Sequence, residues 1–170
     1  MMKKRYILIP ILALFLLLFM LVIIDFTIGD YIGISSIIEI NVPLSCKMEC
    51  IDTHGARNEG EKYVKIYFTD KKAEKFIKKV KENENWKKLP MNKDLQYQVE
   101  NFDCLNENIS IPENGYWFFF NRYMSYSERF ENPHNRYDEK EMFDKKLWNN
   151  FSVAIFDTDT NILSYYETDM

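Results

Sequence analysis

Asp52 and His54 have the clearest capacity for chemistry in this chain: a carboxylate and an imidazole two positions apart in the run Asp52, Thr53, His54, Gly55. Such a pair can share a proton or a metal ion, because imidazole titrates near neutrality and is a common metal ligand. Glu59, Glu61 and His134 are further groups that folding could bring beside it. On this reading the chain is a metal-binding protein or a metal-dependent hydrolase, with Asp52 and His54 as its candidate ligands. The opposing expectation is that both side chains hydrogen-bond within a loop, as short polar residues do in turns. The sequence contains no His-Glu-x-x-His, no nucleophile elbow and no phosphate-cradling glycine motif, which favours the loop reading. No catalytic residue and no cofactor is assigned.

A second segment suits recognition rather than catalysis. Between Arg122 and Tyr137, Arg122, Arg129 and Arg136 alternate with Tyr123, Tyr126, Phe130 and Tyr137 around Pro133 and His134. Arginine and aromatic residues are over-represented at binding hot spots, so Arg122, Tyr126, Arg129, Phe130 and Tyr137 join Asp52 and His54 as candidate binding residues for a protein or cell-envelope ligand. The structural alternative is an ordered cover over a sheet edge. Near the C-terminus, Asp157, Asp159 and Asn161 match the first three ligand positions of a calcium loop. Ile162 replaces its glycine and Thr168 its glutamate, so a hairpin turn is expected instead. Cys46 and Cys50 sit too far apart on one strand to pair with each other; either could pair with Cys104, or all three could be reduced.

The elements that must position these residues follow from periodicity. Leu44 to Asp52 reads as a first strand, and Glu61 to Phe68, with Val64, Ile66 and Phe68 on one face, as a second. The glycine-bounded loop from His54 to Gly60 makes them a hairpin. Asp70 to Asn83 reads as a helix with Ala73, Phe76, Ile77 and Val80 as its apolar stripe and lysines on the solvated side. Trp86 to Pro90 reads as a turn, and Lys93 to Asn106 as either a short helix or a strand. Gly115 to Tyr123 is apolar on both alternating faces, as expected of a covered central strand. Asp138 to about Trp148 suggests a short helix, and Phe151 to Phe156 with Ile162 to Glu167 a closing hairpin.

The N-terminal region carries a different signal. Tyr6 to Ile24 is apolar throughout, follows Lys3, Lys4 and Arg5, and would span roughly 28 Å as a helix. The expectation is a single-pass signal-anchor in the cell membrane, with residues 1–5 as a cytoplasmic tail and 6–24 embedded in the lipid bilayer. Residues 25–34 would then be a juxtamembrane connector and 35–170 one extracytoplasmic domain. Everything beyond the anchor, residues 25–170, would carry a formal charge of about −7, which disfavours nucleic acid as a partner.

The runs from Ile51 to Phe68, Trp86 to Pro90, Asn114 to Tyr123 and Ser152 to Glu167 resemble an uncharacterised family of small membrane-anchored or secreted proteins of low-GC Gram-positive bacteria with an Asp-Thr-His-Gly loop. The resemblance implies no activity, cofactor or partner. Its loop carries a second glycine and a further histidine where this chain has Ala56, Arg57, Asn58 and Glu59, which implies loss of any metal site built on both histidines. The expected fold is α+β: behind the transmembrane helix, an antiparallel sheet of about five strands with a helix packed on one face. The expected function is a non-enzymatic binding module at the cell surface, with the metal-dependent site on Asp52 and His54 as the alternative.

Overall fold

A computed structural model describes residues 13–17, 19, 28–55, 59–101, 110–122, 137–139 and 150–169. Six strands form one antiparallel sheet: β1 (Lys47–Asp52), β2 (Gly60–Tyr67), β3 (Trp86–Lys88), β4 (Gly115–Asn121), β5 (Asn150–Asp157) and β6 (Ile162–Asp169), in the order β1-β2-β6-β5-β4-β3. The N-terminal hairpin therefore pairs directly with the C-terminal one. Residues 28–38 are helical (α1), followed by α2 (Asp70–Glu82) and α3 (Lys93–Glu100).

Alternation along the strands sends side chains to two separate cores. On one face Val64, Ile66, Phe118, Ala154, Phe156, Leu163 and Tyr165 pack beneath Ile34 and Ile38 of α1 and Ala73, Phe76 and Val80 of α2. On the other, Trp117, Phe119, Val153, Ile155 and Tyr166 pack beneath Leu89, Met91 and, from α3, Leu95 and Val99. Cover on both sides explains why β4 and β5 are apolar at nearly every position. The centre of the sheet is β5 and β6; β4 lies one strand from the β3 edge.

Local chemistry accounts for most boundaries. Asp70 is the first residue of α2; Thr69 occupies the cap position without a side-chain bond, and Asp70 accepts from Asn161 at 3.0 Å. Lys93–Glu100 resolves to helix because Asn92 caps it, accepting from the Leu95 amide at 2.8 Å. The Trp86–Lys88 turn is instead the sixth strand, held by pairing with β4 and by the Trp86 indole donating to the Ile38 carbonyl at 3.0 Å. The stretch expected to be a connector contributes residues 28–34 to α1, and Ile34 is buried. Ser35 lies inside that helix, where its hydroxyl accepts from the Val42 amide at 2.8 Å.

The membrane expectation is corrected here. Among the described residues no helix is long and apolar enough to cross a membrane. Within the apolar run the described residues are 13–17 and 19, all helical. The transmembrane helix of the expected fold, the single-pass signal-anchor, the cell-membrane location and the bilayer contact through residues 6–24 therefore have no structural support. Cys46 is buried and Cys50 exposed, and both are free thiols. Cys104 and the helix expected after Asp138, apart from residues 138 and 139, lie outside the described residues.

Candidate functional site

The loop between β1 and β2 is built to fold His54 back against the sheet. The Thr53 amide donates to the Glu61 carbonyl at 2.9 Å, and the Gly55 amide to that of Glu59 at 3.1 Å. Gly60 makes this possible, for a Cβ there would lie 2.6 Å from the His54 Cα. Asp52 then accepts from the His54 amide at 3.0 Å, and its same oxygen, Oδ1, meets the ring Nδ1 at 2.7 Å. A carboxylate on Nδ1 fixes the ring and leaves Nε2 as its outward-facing atom.

Register places the rest. Gly60 faces Asp169 and Lys62 faces Glu167 across the β2–β6 ladder. Glu167 and Asp169, two apart on one strand, share the face that carries His54. The His54 Nε2 lies 3.7 Å from Asp169 Oδ2, and one ligand atom from each of His54, Glu167 and Asp169 falls within 4.8 Å of the others. Both Nε2 and Oδ2 are buried without a hydrogen-bond partner. From the end of β4, Arg122 pairs with Glu167 and reaches Asp169 Oδ2 at 2.7 Å, a contact outside hydrogen-bond geometry. The Tyr165 hydroxyl donates to Glu167 and meets Ser152 Oγ at 3.0 Å. Lys62 pairs with Asp30 of α1 and lies 3.5 Å from Asp52.

The electrostatics have identifiable causes. Burial alone would raise the Asp52 carboxyl, but the hydrogen bonds from His54 and the Lys62 charge hold it below its ordinary value. Burial pushes the Asp169 carboxyl up and neighbouring Glu167 adds to this, against the opposing pull of Arg122 and His54. Burial works against the charged forms of Lys62 and Arg122, yet the carboxylates around each raise both. The Tyr165 hydroxyl is raised well above its usual range by burial and by Glu167. Four carboxylates against two cations leave this cluster formally at −2 with His54 neutral.

The structure thus brings together Asp52, His54 and Arg122 of the residues chosen from sequence. Tyr137 lies elsewhere, packed on Phe118 and Phe120 and bonded to Glu39. Tyr126, Arg129, Phe130 and His134 lie outside the described residues. Glu167, Asp169, Lys62 and Tyr165 are functional candidates that sequence reasoning missed. The available signal was Glu167 and Asp169 alternating on a final strand, which becomes meaningful only once that strand is known to pair with β2.

No family model, no curated protein and no solved structure matches the chain. The chemistry of the site therefore rests on its geometry.

Proposed function

We propose that this domain is a non-enzymatic binding module and that its ligand at the His54, Glu167 and Asp169 cluster is a divalent cation. The observation that carries the reading is the buried His54 Nε2, which has no hydrogen-bond partner and lies 3.7 Å from Asp169 Oδ2, an oxygen ion-paired with Arg122. With Nδ1 held by Asp52, that nitrogen faces two carboxylates, and a cation between the three groups would take all of them as ligands. A divalent ion would also neutralise the formal −2 of the cluster. Ligands of a tetrahedral zinc ion stand roughly 3.4 Å apart, so 3.7 Å between His54 and Asp169 needs little movement and the 4.8 Å limit needs a modest side-chain adjustment. One imidazole with two carboxylates suits Zn²⁺ or Mn²⁺ better than Mg²⁺ or Ca²⁺, which prefer oxygen alone.

The test is titration calorimetry of the metal-stripped protein with Zn²⁺, Mn²⁺ and Mg²⁺, beside His54→Gln and Asp169→Asn. The expected result is one equivalent of Zn²⁺ or Mn²⁺ in the parent, with affinity at least tenfold weaker in both variants. Absence of uptake, or uptake unchanged by both substitutions, overturns the proposal. Circular dichroism of each variant separates lost binding from lost folding.

A further inference from the structure

Beside the cation cluster, a cavity of about 320 Å³ separates α1 from the sheet. Its size falls in the range of small-molecule sites. Two walls of different character enclose it. The α1 wall presents Gly29, Gly33, Ile34 and Ile37, where the two glycines leave the helix bare, together with the carboxylate of Asp30 paired to Lys62. The opposite wall is a polar row from the sheet, with Lys62, Glu167 and Arg122 in turn and the Tyr165 hydroxyl behind Glu167.

We propose that this cavity binds a neutral polyhydroxylic ring, a monosaccharide unit, with its C–H face on α1 and its hydroxyls on the sheet. The argument is electrostatic and geometric. Asp30 and Glu167 are balanced within the lining by Lys62 and Arg122, so the lining has no formal charge with which to select an ion. What it offers instead is acceptors and donors in alternation, each already oriented by its pairing. A hydroxyl both donates and accepts, and neighbouring hydroxyls on a ring can each give a hydrogen bond to a carboxylate while receiving one from Lys62 or Arg122. Such a ring also has an apolar face, which Ile34 and Ile37 match. A phosphate or carboxylate would meet Glu167 and Asp30 as well as the two cations, and an amine would meet the cations. Glu167 belongs to both sites; the cavity is lined as described with no ion present.

The test is ligand-observed saturation-transfer NMR on the full chain with a panel of neutral hexoses and N-acetylhexosamines at millimolar concentration. Inorganic phosphate and a zwitterionic amino acid serve as competitors. Gly33→Leu fills the cavity without removing any charge, and a Cβ at position 33 meets nothing within 4 Å, so the helix has room for it. Gly29→Leu serves in the same way if Gly33→Leu does not fold. The expected result is transfer to at least one neutral sugar, reduced at least fivefold in the filled variant, with no competition by phosphate. Absence of transfer to every sugar, undiminished transfer in a folded variant, or displacement by phosphate or the amino acid would overturn it. The filled variant should keep its cation stoichiometry, so failure of the sugar proposal and failure of the cation proposal are read separately.

Discussion

Gly115 and Gly60 show how single residues shape this molecule. A Cβ at position 115 would lie 2.1 Å from the Phe156 carbonyl oxygen, and one at 60 would press on the His54 backbone. Both positions also have a φ that side-chain-bearing residues rarely adopt, +152° and +156°. Gly115→Ala is therefore expected to cost about 2–4 kcal/mol in chemical denaturation, as steric strain in a core does. Glu49 supports a pH prediction. Hydrogen bonds from Lys47 and then Tyr67, each at 2.6 Å, hold its carboxyl below the ordinary value. A carboxyl depressed in the folded state stabilises above its unfolded pKa and loses that contribution as pH falls through its lower folded value. The melting-temperature difference between the parent and Glu49→Gln should therefore be present at neutral pH and close on acidification below the ordinary carboxylate range. At this scale Asp52 and His54 were legible in sequence because they lie two positions apart, whereas Glu167 and Asp169 lie more than a hundred positions away along the chain.

Among the elements, α2 and α3 separate burial from display. Phe76 packs against Phe68, Trp86 and Phe156, so Phe76→Ala should lower stability by about 3–5 kcal/mol. Lys78→Gln and Lys79→Gln, on the solvated side of the same helix, should change it by no more than about 0.5 kcal/mol. The helix caps supply a sharper contrast. Asn92→Ala removes a side-chain bond to the Leu95 amide and should cost about 1 kcal/mol, while Thr69→Ala, where no such bond exists, should cost only a few tenths. Urea denaturation of the two variants checks both. The two hairpins were legible because alternation and Gly, Asp and Asn turns mark them locally. β3 was not: three residues carry no measurable period, and its identity comes from its neighbour β4. The helical residues 28–34 were obscured by two glycines, which weaken helix propensity and read as a connector.

At the scale of the whole molecule, the decisive feature is the pairing of β2 with β6. It joins the first hairpin to the last and brings the loop histidine to the carboxylates near the C-terminus. No local pattern encodes that pairing, so the candidate site was half-visible: its loop side followed from sequence and its strand side did not. The membrane expectation failed for a related reason. It rested on the hydropathy of one run, and among the described residues no helix is long and apolar enough to cross a membrane. In the proposed cation site, His54 Nε2 is a ligand atom held ready by Asp52. The most direct test is the long-range ¹H–¹⁵N spectrum of the His54 ring before and after one equivalent of Zn²⁺. The account predicts that Nε2 moves to the resonance range of a metal-bound nitrogen while Nδ1 stays protonated on Asp52. A ring with both nitrogens protonated and indifferent to the ion would contradict it, and would make His54 a charged bridge between Asp52 and Asp169 instead of a ligand.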